Sequence, residues 1–142
     1  MQKDLTIELV NFNAEVQAIR VAVFQQEQGV AAALEFDGQD AQMVHLLACW
    51  QGQPVGTARI LYCDATTAKL QRVAVVSAYR SRGIGQAMMQ FALEHLQQQG
   101  VNLIKIHAQQ LVVPFYENLG FTITSDRFQE AGIPHVKMQR RL

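Results

Sequence analysis

The stretch from Lys69 to Gly100 constrains the fold most tightly. Leu70, Val73, Val75 and Val76 make an apolar run short enough for a strand. The run passes into Arg80-Ser81-Arg82-Gly83-Ile84-Gly85. The apolar period then becomes helical: Ile84, Ala87, Met88, Phe91, Ala92 and Leu96 fall on one helical face, and Gly100 is a natural stop. A strand therefore feeds a glycine-bearing turn that opens a long amphipathic helix. Such a helix start presents unpaired backbone N–H groups and the positive end of the helix dipole. Gly83 and Gly85 let a ligand approach the main chain, and Arg80 and Arg82 add positive charge. Together they predict an anion site suited to phosphate or pyrophosphate. Two common phosphate loops are excluded. No G-x-x-x-x-G-K-[ST] string exists. A G-x-G-x-x-G/A fingerprint fails because Met88 stands at its third glycine and Lys105 where a ribose-binding acid belongs.

The rest of the chain supplies the elements around this unit. Leu5, Ile7 and Leu9 alternate with polar residues and predict a half-buried strand. Asn11 or Asn13 can cap a helix running to about Gln28, which Gly29 ends. Residues 30–42 read as a loop with one helical turn at most. Strands follow at about 43–51, 54–62 and 69–76, the first two joined by a Gly52 turn. After the long helix come a strand at 101–107 and a short helix. Pro114 is tolerated only in a first turn, so that helix starts near Val112 or Val113. Strands at 121–125 and 134–139 close the chain. This order predicts an α+β layer fold, a mixed, mostly antiparallel sheet flanked by helices. The strand–helix–strand unit from Lys69 to His107 predicts one parallel crossover.

Composition bounds the function. The chain has 142 residues, 49% hydrophobic, which favours one domain over residues 1–142 and rules out general disorder. No apolar run reaches the ~18 residues of a membrane span, and Met1 to Asp4 carries no apolar run like a secretory leader's. Cys49 and Cys63 lack disulfide-scaffold or metal spacing and read as small apolar residues in a reducing cytosol, so a cytoplasmic location is expected. No zinc-type spacing appears, and no metal is expected. The net charge of zero hides an asymmetry: residues 1–64 carry eight acids against three bases, residues 65–142 nine bases against four acids. Such a split suggests that one half meets an anion and the other a cation. The bases are dispersed, so a nucleic-acid partner is not expected.

Arg80-x-x-Gly83-x-Gly85 after an apolar strand resembles the acetyl-CoA signature of the GNAT superfamily of N-acetyltransferases, [QR]-x-x-G-x-[GA]. A second segment, Ala108 followed by Phe115-Tyr116-Glu117-Asn118-Leu119-Gly120-Phe121, resembles the A…FYE-x-LGF segment of that superfamily. A narrower likeness, to the ElaA-type branch, lies in Ile19 to Val30, Glu35-x-Asp37-x-x-Asp40, His45, and Glu130 to Met138. The resemblance implies the GNAT acyl-CoA N-acyltransferase fold and an acetyl-CoA-dependent enzyme that acetylates a small amine or a protein amine in a ternary complex. A non-catalytic acyl-CoA sensor is the alternative, and a homodimer stays open. It further implies that Val73, Ala74 and Val75 pair with the pantetheine arm, one of these strand amides donating to the reacting oxygen. Arg80, Ser81, Arg82, Gly83, Ile84, Gly85 and Gln86 would hold the pyrophosphate, Phe115 would pack beside the arm, and Tyr116 would be the general acid.

The acceptor poses the larger proton problem. A lysine-like amine is neutral in about one molecule in 2,500 at pH 7, roughly 4.6 kcal/mol of difficulty. A base is therefore expected. Glu27 and His135 join Tyr116 as the catalytic candidates, with Glu35, Asp37, Asp40 and His45 left open.

Overall fold

A computed structural model describes residues 4–142; Met1, Gln2 and Lys3, where a leader was judged absent, lie outside the described residues. Eight strands form one sheet: β1 (Leu5–Val10), β2 (Val44–Trp50), β3 (Gln53–Tyr62), β4 (Thr67–Val75), β5 (Leu103–Gln109), β6 (Thr122–Ile123), β7 (Phe128–Glu130) and β8 (Ile133–Arg141). Their order is β1-β2-β3-β4-β5-β8-β6, with β7 also paired to β8. All pairings are antiparallel except β4 with β5. The expected mixed, mostly antiparallel sheet with one parallel crossover is the one observed.

Alternation along the strands sorts side chains to two faces. On β2, Leu46 and Ala48 join the larger core, while Leu47 packs with the smaller one. Helix α3 (Ile84–Gln98) covers the first face with Met88, Met89, Ala92 and Leu96, all about fully buried. Helix α1 (Ala14–Arg20) covers the second with Val16 and Ile19, and the Asn13 side chain caps it by accepting from the Val16 N–H at 2.9 Å. The expected single helix to Gln28 changes its winding: Val21–Glu27 is a π-helical segment, closed by Gly29 at φ 72°. The 30–42 stretch holds more structure than one turn, with α2 (Ala32–Glu35) and a 3₁₀ turn (Asp40–Gln42). Helix α4 (Val113–Asn118) starts where Pro114 requires. Strand β6 is only two residues long, and β7 was not anticipated.

Strand β4 carries a bulge. Its register with β3 slips by one residue between Thr57/Ala74 and Arg59/Gln71, so Arg72 and Val73 together oppose Ala58. Arg72 has φ 54°, a left-handed backbone uncommon outside glycine. One extra residue inverts the alternation. Leu70 faces the larger core, yet Ala74, four residues on, packs with the smaller one.

A buried ionic cluster fixes the α2 segment to β3 and β4. Arg20, fully buried, donates from Nε to Glu35 Oε2 at 2.9 Å and from Nη1 to Asp40 Oδ1 at 2.5 Å. Phe12 and Phe36 flank its guanidinium at 5.6 and 5.0 Å. Arg59 donates to Asp37, Asp40 and Gln71 at 2.8–3.1 Å. The Arg59 guanidinium holds Asp37 well below the usual carboxylate range, against the effect of its partial burial. For Asp40, burial opposes the pull of Arg20 and Arg59, and the arginines prevail. His45 is fully buried against this cluster; its Nε2–H donates to the Asp40 carbonyl at 2.9 Å, and Nδ1 has no partner. Burial, the largest influence, lowers its pKa from the usual 6.5. His45, left open as a base by the sequence, is a hydrogen-bonded histidine of the interior.

Two predictions follow from the cluster. Arg20→Ala takes from Glu35 and Asp40 their shortest ion pairs, leaving only the longer ones to Arg72 and Arg59, and should cost about 3 kcal/mol of stability, measured by urea unfolding. The contribution of His45 is complete above its unfolded pKa of 6.5 and is lost as pH falls through that value toward its lower folded one. The urea midpoint should therefore hold from about pH 8 to 7 and fall toward about pH 5, with that slope reduced in His45→Gln.

Candidate active site

Strands β4 and β5 separate part-way along their length. Their pairing covers only Thr67–Lys69 with Leu103–Lys105, although β4 continues to Val75 and β5 to Gln109. Beyond Lys69 the facing edges have no ladder partner in each other. Buried backbone donors and acceptors left this way call for a ligand or water. The opening is part of a cavity of about 1090 Å³, at the upper end for a small-molecule site.

The cavity gathers most of the residues that the sequence singled out. Val73, Ala74 and Val75 line it from β4; Arg80, Ser81, Gly83, Ile84, Gly85 and Gln86 from the turn and α3; Phe115 and Tyr116 from α4; Glu27 and His135 from opposite walls. Arg82 does not line it. Its guanidinium sits 5.4 Å from the Trp50 ring centre and 5.0 Å from that of Tyr79. Ser81 and Gly83 both take left-handed backbones, at φ 64° and 77°, as the chain turns into α3. No side chain caps the start of α3, so its first N–H groups are left to a ligand or solvent. A Cβ on Gly85 would lie 3.4 Å from the Phe115 ring and 3.9 Å from Val75, so glycine keeps this corner clear.

Arg80 has a partner already. Its guanidinium grips Glu27 with both terminal nitrogens, at 2.5 and 2.6 Å, and its Nε donates to the Val75 carbonyl at 2.9 Å. The hydrogen bonds from Arg80 hold the Glu27 carboxyl below its usual range. Gln28, the next residue, reaches the other wall: Gln109 Nε2–H donates to its Oε1 at 3.0 Å. Adjacent residues thus tie the end of the π-helical segment to both arms of the opening.

The far wall carries a histidine–carboxylate group. Ala131 and Gly132, at φ 52° and 76°, make the tight turn between β7 and β8 and place Glu130 beside β5. His107 Nδ1–H donates to Glu130 Oε1 at 2.8 Å. His135 donates from Nδ1–H to the Ile133 carbonyl at 2.7 Å, so its Nε2, 3.6 Å from Glu130 Oε2, is the nitrogen able to exchange a proton. Phe128 stacks on His135 with ring centres 5.9 Å apart. Tyr116 packs edge-on against Phe115 and Phe121, and burial raises its phenol pKa well above the ordinary value. Among the described residues no group of three His, Cys, Asp or Glu is placed to hold a metal ion, and no helix is long and apolar enough to cross a membrane.

Sequence reasoning missed Arg72, Glu130, Gln28 and Gln109, all on the cavity wall. Arg72 had a signal, a charge inside an apolar strand. Glu130 had a weaker one, its position just before an Ala-Gly turn. The glutamines had none, being two of 19 spread over the chain.

Residues 7–142 match the model of the acetyltransferase (GNAT) domain family. The uncharacterised protein YyaT of Bacillus subtilis is 38% identical over 131 residues, covering 90% of this chain and 88% of that protein. Escherichia coli ElaA is 31% identical over 129 residues, 87% of this chain and 84% of ElaA. The crystal structure of ElaA superposes with a TM-score of 0.84 over 96% of this chain and 99% of that one, at 26% identity. A GNAT family acetyltransferase of Elizabethkingia anophelis, crystallised with acetyl-CoA bound, gives a TM-score of 0.77 over 99% of this chain and all of that one; at 15% identity it shows the shared fold alone. A sheet opened between its one parallel strand pair, an uncapped helix start facing the opening and the match over 7–142 lead to one conclusion: the chain belongs to the GNAT acetyltransferase family and has the acyl-CoA N-acyltransferase fold.

Proposed function

We propose that this protein transfers an acetyl group from acetyl-CoA to a primary amine by direct attack in a ternary complex. The observation that carries the reading is the gap between β4 and β5, which opens beside the uncapped start of α3. A pantetheine arm bears amides able to bond the free β4 edge, and a pyrophosphate suits the exposed N–H groups of 81–86. Acetyl-CoA, the ligand of the Elizabethkingia protein, is the first donor to test. Bound there, it would supply an activated thioester.

The chain's own residues would then do the following. The Val73 and Val75 main chain orients the arm, and one of these amides donates to the reacting carbonyl oxygen. The N–H groups from Ser81 to Gln86 hold the phosphates, with Gly85 leaving room beside Phe115. Arg80 reaches the phosphates only by leaving Glu27 or by sharing its donors. His135 Nε2 takes the proton that the amine gives up as its nitrogen bonds to the acetyl carbon. Tyr116, kept protonated by burial, gives its proton to the sulfur as the C–S bond breaks. Solvent restores both groups. We assign the base role to His135 rather than to Glu27, because a carboxylate held by two arginine nitrogens is a weakened base.

Thiol release on mixing the protein with acetyl-CoA and a panel of primary amines tests the reading. Amine-dependent release supports it, and binding of coenzyme A without release leaves only a sensor. Tyr116→Phe should lower kcat about 10²-fold with little change in KM for acetyl-CoA. His135→Gln should lower kcat by a similar factor of about 10². Glu27→Gln should move KM for acetyl-CoA more than kcat. A larger kcat loss in Glu27→Gln than in His135→Gln would return the base role to Glu27.

A further inference from the structure

Of the three arginines in the buried cluster, only Arg72 lines the cavity. Its bonding differs from that of its neighbours. Arg20 and Arg59 each engage carboxylates through contacts of 2.5–3.1 Å. Arg72 makes only longer ones: Nε to the Glu35 carbonyl at 3.2 Å and to Glu35 Oε2 at 3.3 Å, and Nη2 to the Leu34 carbonyl at 3.4 Å and to Asp37 Oδ2 at 3.6 Å. Both carboxylate oxygens already accept shorter bonds, Glu35 Oε2 from Arg20 and Asp37 Oδ2 from Arg59. Its hydrogen bonds run from Nε and Nη2 to main-chain carbonyls alone, with none to a carboxylate oxygen.

Two further facts bear on this side chain. The Arg72 backbone is held left-handed at the β4 bulge, a conformation that costs energy for a non-glycine residue and persists where the surroundings enforce it. Its side chain is 22% exposed, and burial together with repulsion from Arg59 and Arg20 lowers its pKa. A cation so placed holds its carboxylate partners only at long range, and a guanidinium fork matches a planar carboxylate. The phosphate loop does not explain it. Arg72 lies three residues before Val75, about 10 Å along the strand and further from 81–86.

We infer that the amine acceptor carries a carboxylate of its own and that Arg72 binds it, fixing the amine relative to the donor. The claim rests on the transfer proposed above and narrows its acceptor to amino acids in the broad sense. The three arginines and the three carboxylates Glu35, Asp37 and Asp40 balance in charge, so the cluster as a whole repels such a ligand weakly.

The test reads binding rather than turnover. Protein saturated with coenzyme A is titrated calorimetrically with N-acetylglycine, N-acetyl-β-alanine and N-acetyl-γ-aminobutyrate, and with the primary amide of each. These acids stand for the acetylated product with its carboxylate at three distances. At least one acid should bind about tenfold or more tightly than its amide, the size expected for a charged hydrogen bond. Arg72→Gln should abolish that preference, and Arg72→Lys should keep part of it. Equal binding of every acid and amide by the wild-type protein, no measurable binding of any acid, or a preference that survives Arg72→Gln would overturn the claim. The wild-type comparison decides even where a variant fails to fold. Failure of coenzyme A itself to bind would count against the proposed transfer instead, and the same acids titrated into the free protein would still report on Arg72.

Discussion

The site depends on a hydrogen-bond ladder that stops. Strands β4 and β5 hold each other over three residue pairs and then part, while β3 and β8 continue to hold their outer edges. Each strand is thereby paired on one side and left without a partner on the other. An unpaired sheet edge in a protein interior is costly unless something completes it. A ligand with amides of its own can complete it, with little dependence on side-chain identity. The glycine-bearing turn then sets the direction of entry, because α3 begins uncapped where the opening begins.

Part of the charge asymmetry of the sequence is met within the molecule. Acids of the first half meet bases of the second through Glu27 with Arg80 and through Glu35 and Asp37 with Arg72. The remainder of the acidic stretch is occupied by Arg20 and Arg59 from the first half itself. The acids of the 30–42 stretch, which reads as a loop in the sequence, form a buried lattice that fastens α2 to the sheet. Such lattices contribute little net stability compared with apolar packing, but they fix geometry. Here the fixed object is one wall of the cavity, which Glu35 and Arg72, the most loosely paired of the three arginines, both line.

Much of this was legible in the sequence, for definite reasons. The period change between Val76 and Ile84 located β4, the turn and α3, because strand and helix periods cannot be confused over that length. Pro114 fixed the start of α4 to within a residue. Periodicity could not foresee the π-helical segment after Arg20, since the same apolar residues suit either winding. Nor could it foresee the β4 bulge, which arises from register with β3 and inverts the facing of Ala74. Strand β7 is three residues long, too short to show a period, and it carries Glu130. Glu27 and Arg80 were each singled out for separate duties; their pairing across 53 residues is a tertiary fact.

Amide hydrogen exchange along β4, with and without saturating coenzyme A, tests the central claim most directly. The account predicts slowed exchange at amides between Leu70 and Val75 and at those from Ser81 to Gln86, with the β1 and β2 amides unaffected. Unchanged exchange along β4 under saturation would mean that the open edge is not where the cofactor lies, and would contradict it.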